Sequence, residues 1–415
     1  MAAPAVTVNA YWDIANSGST FVLDDPTRGV LDSVYVLAGD VAVNITSNVR
    51  TVAVKRGRSR ELDVIEAGVA SLWADNNTRQ MDPAYTSSPY YGNVRPGKRV
   101  TISATASGFS ARPILDGIVD DWNYNYDPAP DSTTTFDVID GLGLLAAAEF
   151  DAWTTTPAET TGPRLTSILA RSEVLFTGTT AFDVGTSTLA GDNVSWGSNV
   201  LNYMQLVAKA DLGQLFAAKD NTITFYGRAK VLTGVGSLTF SDDGTGIAYR
   251  SLEVDYGTEL LFNRVSVDAT GFTKQTVSDT DSIAMYGVRT LSLSLPLDSA
   301  AQALTMATFL LNVYKQPAQR FSSMVVSLPP QTDAVQDSIL ALEIGSVIRV
   351  VFTPNKLGTA IDRYCLIEGI SHDIGPMQHD VTFSMSNLAN GLGGLPFVLD
   401  DATYGKLDGL GLLAY

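Results

Sequence analysis

The chain has little sulfur or imidazole to work with. Among its 415 residues there are one cysteine, Cys365, and two histidines, His372 and His379. A single thiol excludes an intrachain disulfide framework and a cysteine-rich zinc module. Two imidazoles leave little material for a histidine-based metal centre. Charge is scarce and of one sign. Only 17% of residues are charged, and 44 acidic residues against 27 basic ones give a formal net charge of −17. A nucleic-acid-binding face needs clustered Lys and Arg to neutralise phosphates, so that class is excluded. Long apolar runs are missing as well. The best membrane-spanning candidate, Ser299–Tyr314, is interrupted by Gln302, Thr305, Thr308 and Asn312 and is too short to cross a bilayer. The first residues lack a basic stretch followed by an apolar one, so no secretory leader and no membrane segment are expected. No Walker A loop, HExxH, GxSxG or CxxC pair occurs.

What is present is a folded, strand-rich chain. The hydrophobic fraction is 45%, and at about 150 residues per domain the length allows two to four domains. Short runs rich in Val, Thr, Ser and Tyr are cut by Gly, Asn, Asp and Pro, as at Val100–Thr105, Ile114–Trp122, Thr133–Ile139 and Thr222–Phe225. Three helices are expected. One starts near Pro163 and carries Leu165, Ile168 and Leu169. One covers Asn199–Ala210. One opens at Ser299 with capping-box spacing to Gln302 and an apolar stripe of Ala300, Leu304, Ala307, Leu311 and Tyr314.

Two internal repeats organise the chain. Pro96–Ile102, Leu115-Asp116-Gly117-Ile118 and Thr133–Ile139 recur in order and type as Ile344–Val350, Ile367-Glu368-Gly369-Ile370 and His379–Met385. The fold class read from this is mainly β (a β-rich α+β chain): two related small β-barrels, a mixed α/β segment between them, and extended termini. The expected domains are an N-terminal extended segment over 1–30, a first barrel over 31–150, the mixed segment over 151–249, a second barrel with one helix over 250–390, and a C-terminal extended segment over 391–415. The second repeat lies at the termini. Phe21–Asp32 recurs as Phe397–Asp408 with nine of twelve positions identical. Either it completes each barrel as an edge strand, or it is a docking peptide that adds a strand to a neighbouring subunit. In the docking reading the candidate residues are Phe21, Leu23, Asp24, Asp25 and Gly29, and Phe397, Leu399, Asp400, Asp401 and Gly405.

Candidate chemistry is sparse. Asp140–Ala146 (DGLGLLA) matches the dinucleotide fingerprint by letter, but it follows an alternating strand and recurs at Asp408–Ala414, so no cofactor is expected. Asp116, Asp120, Asp121 and Asp127 invite a glycan-hydrolase reading with paired carboxylates. Trp122, Tyr124 and Tyr126 could instead form a sugar-stacking platform. Ser241–Gly246 and Ser278–Ser282 resemble fragments of calcium loops, yet neither continues to a terminal Glu. Cys365 and His372 fall on opposite faces of a strand unless a bulge intervenes near Gly369, which argues against a dyad. His372 and His379 are expected to face each other across a hairpin at Gly375-Pro376, as a paired surface position. No catalytic, cofactor or metal residue is assigned, and the chain is not expected to be an enzyme.

Several segments resemble minor tail proteins of long-tailed bacteriophages. They are Arg56–Gly68 running into Ala74–Pro83, Ser88–Gly97, Asp116–Trp122, Tyr286–Arg289, Asn199–Arg228 and the terminal FVLDD motif. The resemblance covers most of residues 30–415 and carries no catalytic signature. It implies a tail-tip or baseplate hub located in the virion. Such a hub is a homo-oligomer, a trimer with two barrels per chain, that closes or rings the sixfold tube and opens for DNA. Implied partners are the tail tube or distal tail ring protein, the tape-measure protein, other minor tail or receptor-binding proteins, and DNA in transit. The alternative is the distal tail ring protein itself, a hexamer with one barrel per chain. The net negative charge would then line a lumen that DNA passes without sticking.

Overall fold

The structure is a computed structural model that describes residues 2–12, 26, 40–127, 131–228, 230, 236 and 238–388. The ten candidate docking residues of the terminal repeat lie outside the described residues.

The chain is mainly β, built around one 13-stranded sheet. Its strands in chain order are β1 (Ala5–Trp12), β2 (Val41–Asn44), β3 (Val49–Gly57), β4 (Glu66–Asp75), β5 (Arg99–Thr105), β6 (Arg112–Asn125) and β7 (Thr133–Ile139). They are followed by β8 (Thr239–Ser241), β9 (Ser251–Asp255), β10 (Arg320–Ser327), β11 (Val347–Phe352), β12 (Ile361–Gly375) and β13 (Gln378–Asn387). Period-two alternation puts Val8, Ala10 and Trp12 of β1 and Val100, Ile102 and Ala104 of β5 into the core.

The first half of the sheet runs β3-β4-β7-β6-β5-β1-β2. The second runs β9-β10-β13-β12-β11-β8. The two orders agree over six positions, and β2 has no counterpart in the second half. The strands that repeat in the sequence, β5-β6-β7 and β11-β12-β13, are the matching antiparallel trios. One pairing differs in sense: β1 lies antiparallel to β5, whereas β8 lies parallel to β11.

The sheet draws its strands across the expected ranges. β1 comes from the range 1–30, and β8 from 151–249, so each half takes a strand from outside its expected range. The halves also share one sheet, because β12 pairs antiparallel with β3 from Gly369↔Gly57 to Ile374↔Val52. Finally, the range 250–390 holds three helices rather than one: α4 (Thr280–Tyr286), α5 (Ala300–Tyr314) and α6 (Asp333–Ala341). It also holds a side sheet of 264–269, 275–278 and 290–295, on which α5 packs.

The earlier helices are α1 (Gly141–Ala146), α2 (Thr161–Leu169) and α3 (Val200–Lys209). Asn199 caps α3 by accepting the Asn202 amide at 3.0 Å. α2 and α3 pack together beside a three-stranded sheet of 180–182, 223–226 and 214–217, so this segment is mixed α/β as expected. At α5, Ser299 Oγ accepts the Gln302 amide at 3.3 Å. The capping box is only half made, because the Gln302 side chain instead accepts the Thr188 amide at 3.1 Å. The buried face of α5 is Ala303, Met306, Ala307, Leu310, Leu311 and Tyr314, rotated from the expected stripe, and Leu304 is 44% exposed. No helix among the described residues is long and apolar enough to cross a membrane.

Candidate interaction site at the junction of the two halves

The junction is set by two glycines. β12 pairs with β11 over Ile361–Leu366, then kinks at a bulge between Ile367 and Gly369 and pairs with β3 instead. Gly57 sits at φ +87°, and a Cβ there would lie 2.3 Å from the Glu368 carbonyl oxygen. A Cβ on Gly369 would lie 2.6 Å from the Arg58 carbonyl oxygen. The backbones come this close because the Arg58 amide donates to the Glu368 carbonyl at 2.9 Å.

At the bulge Glu368 is buried, only 1% exposed. Its Oε2 accepts Arg58 Nε and Gln214 Nε2, each at 2.7 Å, and its Oε1 accepts Ser386 Oγ at 2.7 Å. These partners come from the first half, the mixed segment and the second half. Burial alone would push Arg58 down, but the Glu368 carboxylate outweighs it, and the guanidinium is held above its ordinary value. A second knot joins the same three parts. Arg56 Nη2 donates to the Ala217 carbonyl at 2.7 Å and to Glu343 Oε1 at 2.8 Å, and Glu343 Oε2 accepts the Lys219 amide at 3.0 Å. Burial pulls the Lys219 ammonium down to about 8. Burial raises the Glu61 carboxyl against the pull of Arg320, 3.1 Å away.

Beside Glu368 opens a cleft of ≈ 210 Å³. Its apolar wall includes Leu212, Leu291, Leu293, Phe309, Val313 and Leu388, and its polar end is formed by Arg58, Glu61 and Glu368. This is the geometry of a binding cleft, with an apolar body and a few fixed polar groups.

No protein-family model matches the sequence, and no curated protein matches it. Solved structures do. A tail protein from Neisseria meningitidis superposes with a TM-score of 0.61 at 12% identity, covering 92% of this chain and 96% of that one. A 43 kDa tail protein of prophage MuSo2 from Shewanella oneidensis gives 0.59 at 14% identity, covering 93% of this chain and 97% of that one. The chain has the fold of these phage tail proteins. The resemblance read from its segments is thereby borne out at the level of fold.

Within the tail-protein fold, the repeated carboxylate–Gly–Ile centre has a structural meaning. In the first half, Asp116 is held by a two-bond fork from Arg99, Nε at 2.9 Å and Nη2 at 2.5 Å. Its neighbour Gly117 leaves room for the Ile139 carbonyl, 2.2 Å from where a Cβ would be. Glu368-Gly369 also has its carboxylate on an arginine and its glycine under a backbone carbonyl, but both belong to Arg58 of the first half. Carboxylates of the hydrolase reading have structural partners of their own. Asp116 is engaged by Arg99, Asp120 sits at a bulge in the pairing of β6 with β7, and Asp121 accepts its neighbour's amide, Trp122 N, at 2.8 Å. Trp122, Tyr124 and Tyr126 do stack in a row, with centroids 6.4 and 6.1 Å apart. Tyr126 is exposed, but Trp122 is half-buried against Phe136 at 4.4 Å.

The DGLGLLA string forms α1, which has only six residues. Asp140 Oδ1 and Oδ2 cap the Leu142 and Gly68 amides at 3.0 and 2.7 Å, and the Gly141 amide donates to Asn221 Oδ1 at 2.6 Å. These amides are therefore already used by the fold. The calcium-like fragments are a turn and a cap: Asp243 accepts the Thr245 amide at 2.9 Å, and Asp279 caps α4. Cys365 is fully buried, and burial pushes its thiol up to about 12.

His372 and His379 do meet, with Nδ1 of His372 3.1 Å from Nε2 of His379, but in the core rather than at the surface. Ile374 pairs with His379, so the two rings lie diagonally on the same inner face of the hairpin. Burial pulls His379 down to about 4 against the pull of Asp380. Burial, then the His379, Lys219 and Arg56 charges, hold His372 well below its ordinary value. Their stabilising share is complete above the unfolded value near pH 6.5 and is lost as pH falls toward 4. For His379 alone the loss is about 3 kcal/mol by pH 4. Asp140, raised to about 6 by burial, acts in the opposite sense, so a variant comparison is needed to cancel it. Urea unfolding of the wild type and of His379→Gln should show a stability difference that changes by about 3 kcal/mol between pH 7 and pH 4. A difference independent of pH would rule the pair out as an acid-sensitive element.

Sequence reading overlooked Arg58, Gln214, Arg56, Glu343 and Lys219. Only Glu368 carried a signal, through its place in the repeat.

Proposed function

We propose that this chain is a structural component of a phage tail tip, the hub that closes or rings the tail tube, anchors host-contact proteins and opens for DNA. The observation that carries the reading is the doubled strand order, β3-β4-β7-β6-β5-β1 against β9-β10-β13-β12-β11-β8, within one chain. Three such chains present six similar sheet halves. That lets a threefold assembly sit against a sixfold tube above and continue as threefold below. A distal ring of six chains needs only one such half per chain, so the doubling favours the hub. The fold shared with tail proteins from Neisseria and Shewanella supports the same reading. Partners on this account are the tube or distal ring protein, the tape-measure protein and receptor-binding proteins. The work is steric and mechanical, and the net charge of −17 suits a lumen that repels phosphate.

Native mass determination of the assembled protein, with an image of the tail tip, tests this. A trimer whose inner wall carries the excess Asp and Glu is the expected result. A stable hexamer would replace the hub with the ring reading, and an even spread of acidic residues would remove the lumen argument.

A further inference from the structure

The string that forms α1 occurs twice, and its first copy shows what each letter does. Asp140 clamps the edge of β4, accepting the Gly68 amide at 2.7 Å while its own amide donates to the Gly68 carbonyl at 3.0 Å. Gly141 makes a close approach, since a Cβ would lie 3.0 Å from both Asn221 Oδ1 and Ile223 Cδ1. Gly143 is closed off by Ile139, 2.8 Å from its Cβ position. Leu142 and Leu145 are buried, at 0% and 2% exposure, while Leu144 faces out. The letters thus encode a seat: one carboxylate for a strand edge, two glycines for close approach, and two leucines for an apolar pit.

Asp408–Ala414 repeats those seven letters within residues 389–415. α1 follows β7. The counterpart of β7 in the second half is β13, and the described chain stops just after it, at Leu388. Leu388 is itself part of the cleft wall, and its amide is fixed to the Tyr364 carbonyl at 2.9 Å. The chain therefore leaves β13 within an open apolar cleft whose wall supplies Leu291, Leu293, Phe309 and Val313. The charged lining is balanced, with Arg58, Lys209 and Arg228 against Glu61, Asp63 and Glu368, so the apolar wall and the tether at Leu388 carry the assignment rather than charge. Residues 389–407, at about 3.3 Å each when extended, are ample to fold back over a cleft of this size.

We propose that this cleft is the seat of the chain's own segment 389–415, with Leu410 and Leu413 of the second DGLGLLA copy filling the apolar wall as Leu142 and Leu145 do in the first half. Tethering at Leu388 places the segment at an effective concentration on the order of millimolar, which favours the chain's own copy over that of a neighbour. The inference does not depend on the hub reading.

The test is cross-linking in the full chain. A Val313→Cys/Leu413→Cys variant treated with a short bismaleimide should give a link within one chain, seen as a monomer with one crosslinker bridging peptides 313 and 413. Cys365 is buried and does not compete. The control pair Leu357→Cys/Leu413→Cys uses an exposed residue outside the cleft. A yield no higher than the control's overturns the proposal. A link that joins two chains also overturns it and assigns the cleft to a second copy. As an independent reading, Leu410→Asp/Leu413→Asp should speed amide exchange over 291–295 and 309–314 at least tenfold and leave β3–β7 unchanged. Unchanged exchange at the cleft overturns the proposal even if the cross-link forms.

Discussion

Replacing Glu368 with alanine is expected to cost about 3–5 kcal/mol of unfolding free energy, the range for breaking a buried ion pair by removing one partner. The side chain is 1% exposed and holds three donors from three parts of the chain. Without it, Arg58 loses its hydrogen-bonded carboxylate and keeps only the weaker pull of Glu61, and the Gln214 amide and Ser386 hydroxyl lose their acceptor. The pair itself contributes little net stability, because desolvating both charges offsets most of their attraction. The double variant Arg58→Met/Glu368→Met should therefore recover the share due to the unpaired Arg58 charge, leaving the share due to Gln214 and Ser386. Urea unfolding followed by the β-sheet signal measures both. A loss below about 1 kcal/mol in Glu368→Ala would mean that the site is hydrated and that the three parts are not held by this carboxylate.

The second large effect is expected at Gly57. Alanine there meets two penalties at once. A residue with a Cβ at φ +87° costs about 1–2 kcal/mol, and a Cβ placed 2.3 Å from the Glu368 carbonyl oxygen requires the strands to separate. The contact is with backbone, so no side chain can swing aside, and overpacking of this kind adds about 1–3 kcal/mol. Gly92→Ala supplies the control. Its φ of +82° is similar, and nothing lies within 4 Å of its Cβ position. Gly57→Ala should exceed Gly92→Ala by the close-contact share. Amide exchange along the β3–β12 pairing, residues 52–57, should accelerate only in Gly57→Ala. Equal losses in the two variants would show that backbone conformation alone sets the cost and that the halves are not held in close register there.

Much of this architecture could be read from the residues. Alternation along Val100–Thr105 and Thr133–Ile139 reports a half-buried strand, because side chains on a strand point to opposite faces in turn. The doubled Leu-Asp-Gly-Ile and Ile-Glu-Gly-Ile centres announced the duplication, since a carboxylate for an arginine and a glycine for a close backbone leave a fixed mark in the sequence. Asn199 and Ser299 marked helix starts because capping is local. The buried face of α5 was read with the wrong rotation, because it is chosen by the side sheet beneath it and not by the helix.

Legible in the residues alone was what is local and periodic: a mainly β chain, built twice from one pattern, with a single cysteine and two histidines. What only the tertiary structure decided was which distant edges meet. Pairing of β12 with β3 and the Arg58–Glu368 and Arg56–Glu343 contacts join residues roughly three hundred positions apart, and capture of β1 and β8 from outside their halves joins residues about a hundred apart. Strand alternation repeats every two residues and carries no record of a partner that far away. An arginine in the sequence looks the same whether its carboxylate is its neighbour or lies on another strand.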